Sequence, residues 1–118
     1  MHHLKSCLFL LGSVLPFSCV AAVYQGYISN ISASNGKIYI VLSDGGFQGG
    51  NSGSCPLSPS TMSFSIDPNT AIGRAQISLA LTAYSAKSLV WTTGDGICAT
   101  GSIYGAAAEG LSYIDLKT

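Results

Sequence analysis

Apolar and polar residues alternate in several short runs along the chain, a period that belongs to strands. Tyr24 to Ile31 predicts a first strand, with Gly26 as a candidate bulge. Ser34-Asn35-Gly36-Lys37 follows, and Asn-Gly between apolar runs is a strong hairpin signal. Ile38, Ile40 and Leu42 alternate with Tyr39 and Val41, so the second strand presents three aliphatics on one face. Asp44 to Ser54 holds five glycines in eleven residues and predicts a flexible loop. Pro56 and Pro59 delay the third strand until Thr61, after which Met62, Phe64 and Ile66 alternate with Ser63 and Ser65.

Helical spacing occurs once, over about residues 71–85. Asp67-Pro68-Asn69-Thr70 supplies a turn and an N-cap, either Asn69 or Thr70. Ile72, Ala75, Leu79 and Ala83 fall near a 3.6 period, with Ile77, Leu81 and Tyr84 widening the apolar arc. Gly73 and the lack of charged i,i+4 pairs make this helix weak alone, so it needs a sheet to lie on. Leu89 to Thr92 predicts a fourth strand, ended by Thr93-Gly94-Asp95-Gly96. The small-residue stretch Ala99 to Gly110 has a candidate short strand at Ile103-Tyr104, and Leu111 to Leu116 closes as a fifth. The fold class is therefore mainly β with one helix. The order β-β-β-α-β-β predicts an OB-like five-stranded barrel whose helix closes one end. An open antiparallel sheet packed on one helix is the alternative. Ile38, Ile40, Met62, Phe64, Ile66, Leu79 and Ile114 are the expected buried side chains.

The first 22 residues read as a secretory signal peptide. Lys5 charges a short n-region, Leu8 to Leu15 has h-region length, and Pro16 ends it. Val20 and Ala22 place small residues at −3 and −1 of a cut after Ala22. Two alternatives stand beside this reading, a hydrophobic core helix and lipidation at Cys19, although Pro16 stands where lipoproteins usually carry Leu. No other run is apolar and long enough to span a bilayer, which takes ~20 helical residues. The expectation is a single soluble domain, residues 23–118, secreted or periplasmic.

Removing the leader takes away every histidine and leaves Cys55 and Cys98, four basic residues and five acidic ones. An even pair of cysteines in an exported domain predicts one disulfide; two free thiols are the rival. Charged residues are 8% of the chain, against ~25% in typical domains. With no basic stripe, the expectation is no nucleic-acid partner. Catalysis is short of parts: no imidazole remains to activate a nucleophile or bind a metal, and the expectation is a non-enzyme without cofactor or metal. Asp44, Asp67, Asp95, Glu109 and Asp115 are scattered and read as turn and surface carboxylates. The Gly-rich segment lacks the Lys and following helix of a phosphate cradle.

Tyr24, Tyr27, Tyr39, Trp91, Tyr104 and Tyr113 sit in or beside predicted strands, where exposed rings give flat faces on which sugars stack. Core packing is the competing role for each. Trp91 faces inward if Leu89 does, and outward if Val90 and Thr92 face in. Tyr27, Trp91, Tyr104 and Asp95 form the candidate ligand-binding set, although Asp95 between two glycines also suits a plain turn.

Several segments together resemble a broad group of small exported bacterial proteins. They are Gly26-x-Ile28-x-x-Ile31, Asn35 to Leu42, Cys55, Phe64-Ser-Ile66, Gly73 to Ala83, Lys87-x-x-Val90, Thr93 to Cys98 and Glu109-x-Leu-x-Tyr-Ile-x-Leu116. Their layout is similar to the B subunits of AB5 toxins of the subtilase-cytotoxin and pertussis-like type. The resemblance implies an OB fold, self-association into a ring and binding of a cell-surface glycan or protein partner. No glycan-pocket residue of those subunits maps onto this chain, and Ala86 replaces the Gly that the group often shows before the Lys. A structural or interaction protein of the bacterial envelope, with no small ligand, is the alternative.

Overall fold

The computed structural model describes residues 20–53, 55, 60–99 and 108–117. The strands are β1 (Val23–Ser34), β2 (Lys37–Phe47), β3 (Met62–Ile66), β4 (Val90–Ala99) and β5 (Ala108–Leu116), with the helix α1 (Ala71–Ala86) between β3 and β4. Ser34 pairs with Lys37 across Asn35-Gly36, and both turn residues take positive φ, as a two-residue hairpin of this type needs. The sheet order is β1-β2-β3-β5-β4, and β1 pairs back to β4, so the five strands close in a ring. That closure replaces the open-sheet alternative. The pairings are antiparallel except β3 with β5, which is parallel.

Tyr24, Ile28, Ile40, Leu42, Met62, Phe64, Ile66, Val90 and Ile114 fill the core. Ile38 pairs with Ile66, Ile40 with Phe64 and Leu42 with Met62, which stacks the inward side chains of two strands in register. Ile38 itself is only partly buried.

Two strands run past their expected ends. β2 continues through Asp44-Gly45-Gly46 to Phe47, where a loop is expected, because long β1 supplies partners as far as Tyr24 opposite Phe47. The register slips there, and the chains approach so closely that a Cβ on Gly45 would overlap the Gln25 carbonyl. Gln48 and Asn51 then share backbone hydrogen bonds with Val23, at 2.8 and 3.0 Å. This much of the Gly-rich segment is tied to β1. β4 likewise runs through Thr93-Gly94-Asp95-Gly96 to Ala99, absorbing the glycines as register shifts against β5. β5 begins at Ala108, before the expected Leu111. The expected short strand at Ile103-Tyr104 lies outside the described residues.

Thr70 is the N-cap, its Oγ1 accepting from the Gly73 N–H at 2.9 Å. The helix, however, lies on the ring by a different face from the one its aliphatics suggest. Gly73, Gln76, Ala80 and Ala83 are buried, while Leu79 is 40% exposed and Ile72 67%. Small residues bring α1 close to a ring interior already filled by Tyr24 and Phe64, and the Gln76 amide donates to the Leu111 and Ser112 carbonyls, each at 3.4 Å. Gly73 sits so near the preceding turn that a Cβ there would strike the Asp67 carbonyl. Gly73→Ala should therefore lower stability by about 1–3 kcal/mol, although Ala is the better helix former by about 1 kcal/mol. Urea denaturation measures the sign, and a rise in midpoint would contradict the packing.

Cys55 and Cys98 form a disulfide, with Cα atoms 5.5 Å apart. It is compatible with an oxidising, extracytoplasmic compartment. No described helix is long and apolar enough to cross a membrane.

Candidate functional site

Val90 and Thr92 are fully buried, so alternation along β4 turns Trp91 to the outer surface of the ring. Its neighbours across the sheet are Gln25 on β1 and Asp115 on β5. Lys117 Nζ lies 5.9 Å from the centre of the indole and 3.2 Å from Asp115 Oδ2, while the Tyr113 hydroxyl donates to the same oxygen at 3.2 Å. The indole is thus a half-buried ring with the Lys117 ammonium over its face. Tyr27 stands two residues beyond Gln25 on β1, with its side chain outward and 40% exposed.

Tyr27 also forms one wall of a groove of about 560 Å³ where β1 and β2 meet the C-terminal end of α1. The opposite wall is Tyr84, 46% exposed, with Lys87 just past the helix end. Ser29, Ser43 and Asp44 complete the polar lining. Local backbone places two of these groups. Lys87 adopts the left-handed conformation at φ 53°, its N–H turned back to the Ala83 and Tyr84 carbonyls, and thereby ends the helix beside the groove. Asp44 takes φ 57° within the β2 bulge. The groove offers two aromatic faces, hydroxyls, one carboxylate and one ammonium, a set suited to holding a polyhydroxylated ring.

The other candidate residues are placed elsewhere. Asp95 lies in a separate hollow with Lys37, Ser65 and Asp67, its Oδ1 accepting from the Ile97 N–H at 2.8 Å as in a turn. Tyr104 lies outside the described residues. Tyr24 and Tyr39 are buried, so neither supplies an exposed ring. Of the expected set, the fold brings Tyr27 and Trp91 to neighbouring positions and separates Asp95 from the groove. It adds Tyr84, which periodicity placed on the apolar arc of the helix, Asp44, which the Gly-rich run placed in a loop, and Lys87, which entered through the resemblance.

Glu109 departs furthest from expectation. Read as a surface carboxylate, it is fully buried. Its Oε2 accepts from the backbone N–H groups of Ala22 at 2.9 Å and Gly96 at 2.8 Å, and its Oε1 has no hydrogen-bond partner. Burial holds its pKa above the ordinary carboxylate range; the two N–H groups offset this in part, and the nearby Asp95 charge adds to it. A side chain at Gly94 would run into this carboxyl group, which explains the glycine there. The sequence signal was slight: one charge inside a run of small residues. Comparison with protein-family models, with curated proteins and with solved structures gives no match to this chain.

Proposed function

We propose that the chain is an exported, non-catalytic binding module of OB-like type that takes a surface glycan in the groove between Tyr27 and Tyr84. The groove itself carries this reading. It pairs two exposed phenol rings with Ser29, Ser43, Asp44 and Lys87, so the apolar face of a sugar can stack while its hydroxyls find donors and acceptors. Trp91 extends the aromatic surface along the neighbouring strand. The strand order of the ring and the place of α1 between β3 and β4 support the OB-like reading. A glycan array probed with the mature protein tests the proposal. Binding to a defined set of glycans supports it, and silence across the array opposes it.

A specific observation favours self-association as a companion property or, without a glycan, as the alternative role in the envelope. Ile72, Leu79 and Leu81 are exposed on α1, where an isolated soluble domain would normally carry polar residues. Sedimentation over a concentration series reads this directly. A fixed oligomer supports association, and a monomer at every concentration leaves those aliphatics unexplained.

A further inference from the structure

An ionised carboxylate that is fully buried needs a cation or a full set of donors. Glu109 has two backbone donors on Oε2 and none on Oε1. The ion pair between described residues is the surface pair Lys117–Asp115. To be ionised in this setting, Glu109 needs a counter-charge from another source.

Ala22 sits against this carboxylate and is built into the fold. It is fully buried, its N–H donates to Glu109, and its carbonyl accepts from the Gly94 N–H at 2.8 Å. Its methyl lies so close to Gly53 that a Cβ there would approach to 2.8 Å. A leader cut after Ala22, as first expected, would strip a donor, an acceptor and a core methyl from the domain. A cut one bond earlier keeps all three and also satisfies the leader rule, with Cys19 at −3 and Ala21 at −1.

We propose that the leader is removed between Ala21 and Ala22, and that the freed Ala22 α-ammonium forms a buried ion pair with Glu109. An export-linked leader peptidase would add water across the Ala21–Ala22 peptide bond. Ala21 keeps the new carboxylate, and the Ala22 amine takes up a proton. One amide N–H at 2.9 Å from Oε2 becomes three N–H donors on a positive charge, enough to reach the unpartnered Oε1 as well. Asp95, the other acidic group acting on Glu109, adds to the negative potential that would hold the ammonium. Leader removal then completes the charge pairing at this end of the ring, so processing and folding support each other.

Intact mass and N-terminal sequencing of the exported protein test the cut, and amine labelling tests the pair. The expected N-terminus is Ala22, and its α-amine should react about tenfold or more slowly in the native state than in denaturant, since each unit of raised pKa removes tenfold of the free amine. Glu109→Gln should restore fast labelling. If that variant does not fold, a chain carrying one extra Gly before Ala22, which turns the ammonium back into an amide, should show a lower urea midpoint than the parent. A mature N-terminus at Val23, an acylated Cys19, a native α-amine as reactive as the denatured one, or an unchanged midpoint on Gly extension would overturn the proposal.

Discussion

Cys55→Ala is expected to lower the free energy of unfolding by about 4 kcal/mol, from the chain entropy released when a 43-residue separation is no longer bridged. Position adds to that figure. Cys98 pairs with Glu109 across β4 and β5, and Cys55 follows Gly53, which packs against Glu109 and Ala22. The crosslink therefore pins the same end of the ring where the buried carboxylate sits. Small domains have about 5–15 kcal/mol in total, so the loss is a large share. Urea denaturation of the oxidised parent, the reduced parent and the Cys55→Ala/Cys98→Ala double variant should give one high midpoint and two low ones. Three equal midpoints would contradict the role assigned to the bridge.

Phe64→Ala should cost about 3–5 kcal/mol, the range for removing a buried aromatic side chain and leaving a cavity. β3 is five residues long, buried throughout, and joins β2 to β5 within the ring. Phe64 pairs with Ile40 on one side and Glu109 on the other, and is fully buried. Leu79→Ala is the instructive control. Periodicity alone places Leu79 in the core, but its exposure predicts a loss of less than about 1 kcal/mol in the monomer. Guanidinium denaturation of both variants separates the cases, and a Leu79→Ala loss equal to that of Phe64→Ala would reverse the assigned helix face.

Where local chemistry and tertiary packing ask for the same residues, the sequence was readable. Asn35-Gly36 meets the needs of its hairpin, the Met62-Phe64-Ile66 alternation meets the ring interior, and Thr70 caps α1. Where they diverge, the sequence misled. The helix docks by Gly73, Ala80 and Ala83 with Ile77 partly buried beside them, so of the expected apolar arc Ile72, Leu79, Leu81 and Tyr84 are exposed. Gly45 and Gly96 look like loop residues but sit in strands that slip register, an arrangement visible only once the partner strand is known. The direction of Trp91 followed from parity as soon as Val90 and Thr92 were placed inside. The groove was least legible, because Tyr27 and Tyr84 are 57 positions apart and only ring closure with the docked helix brings them to one cavity. For Glu109 the signal was a lone charge among small residues, too slight to mark it as buried.

The binding claim is tested most directly by titrating the mature parent, Tyr27→Ala and Tyr84→Ala with the strongest glycan from an array. A stacking ring lost without unfolding should weaken binding by about 1–3 kcal/mol, roughly 5- to 150-fold, in each variant. Circular dichroism should show that both variants keep the parent's fold. Equal affinity in all three proteins, or no saturable binding by the parent, would contradict the account.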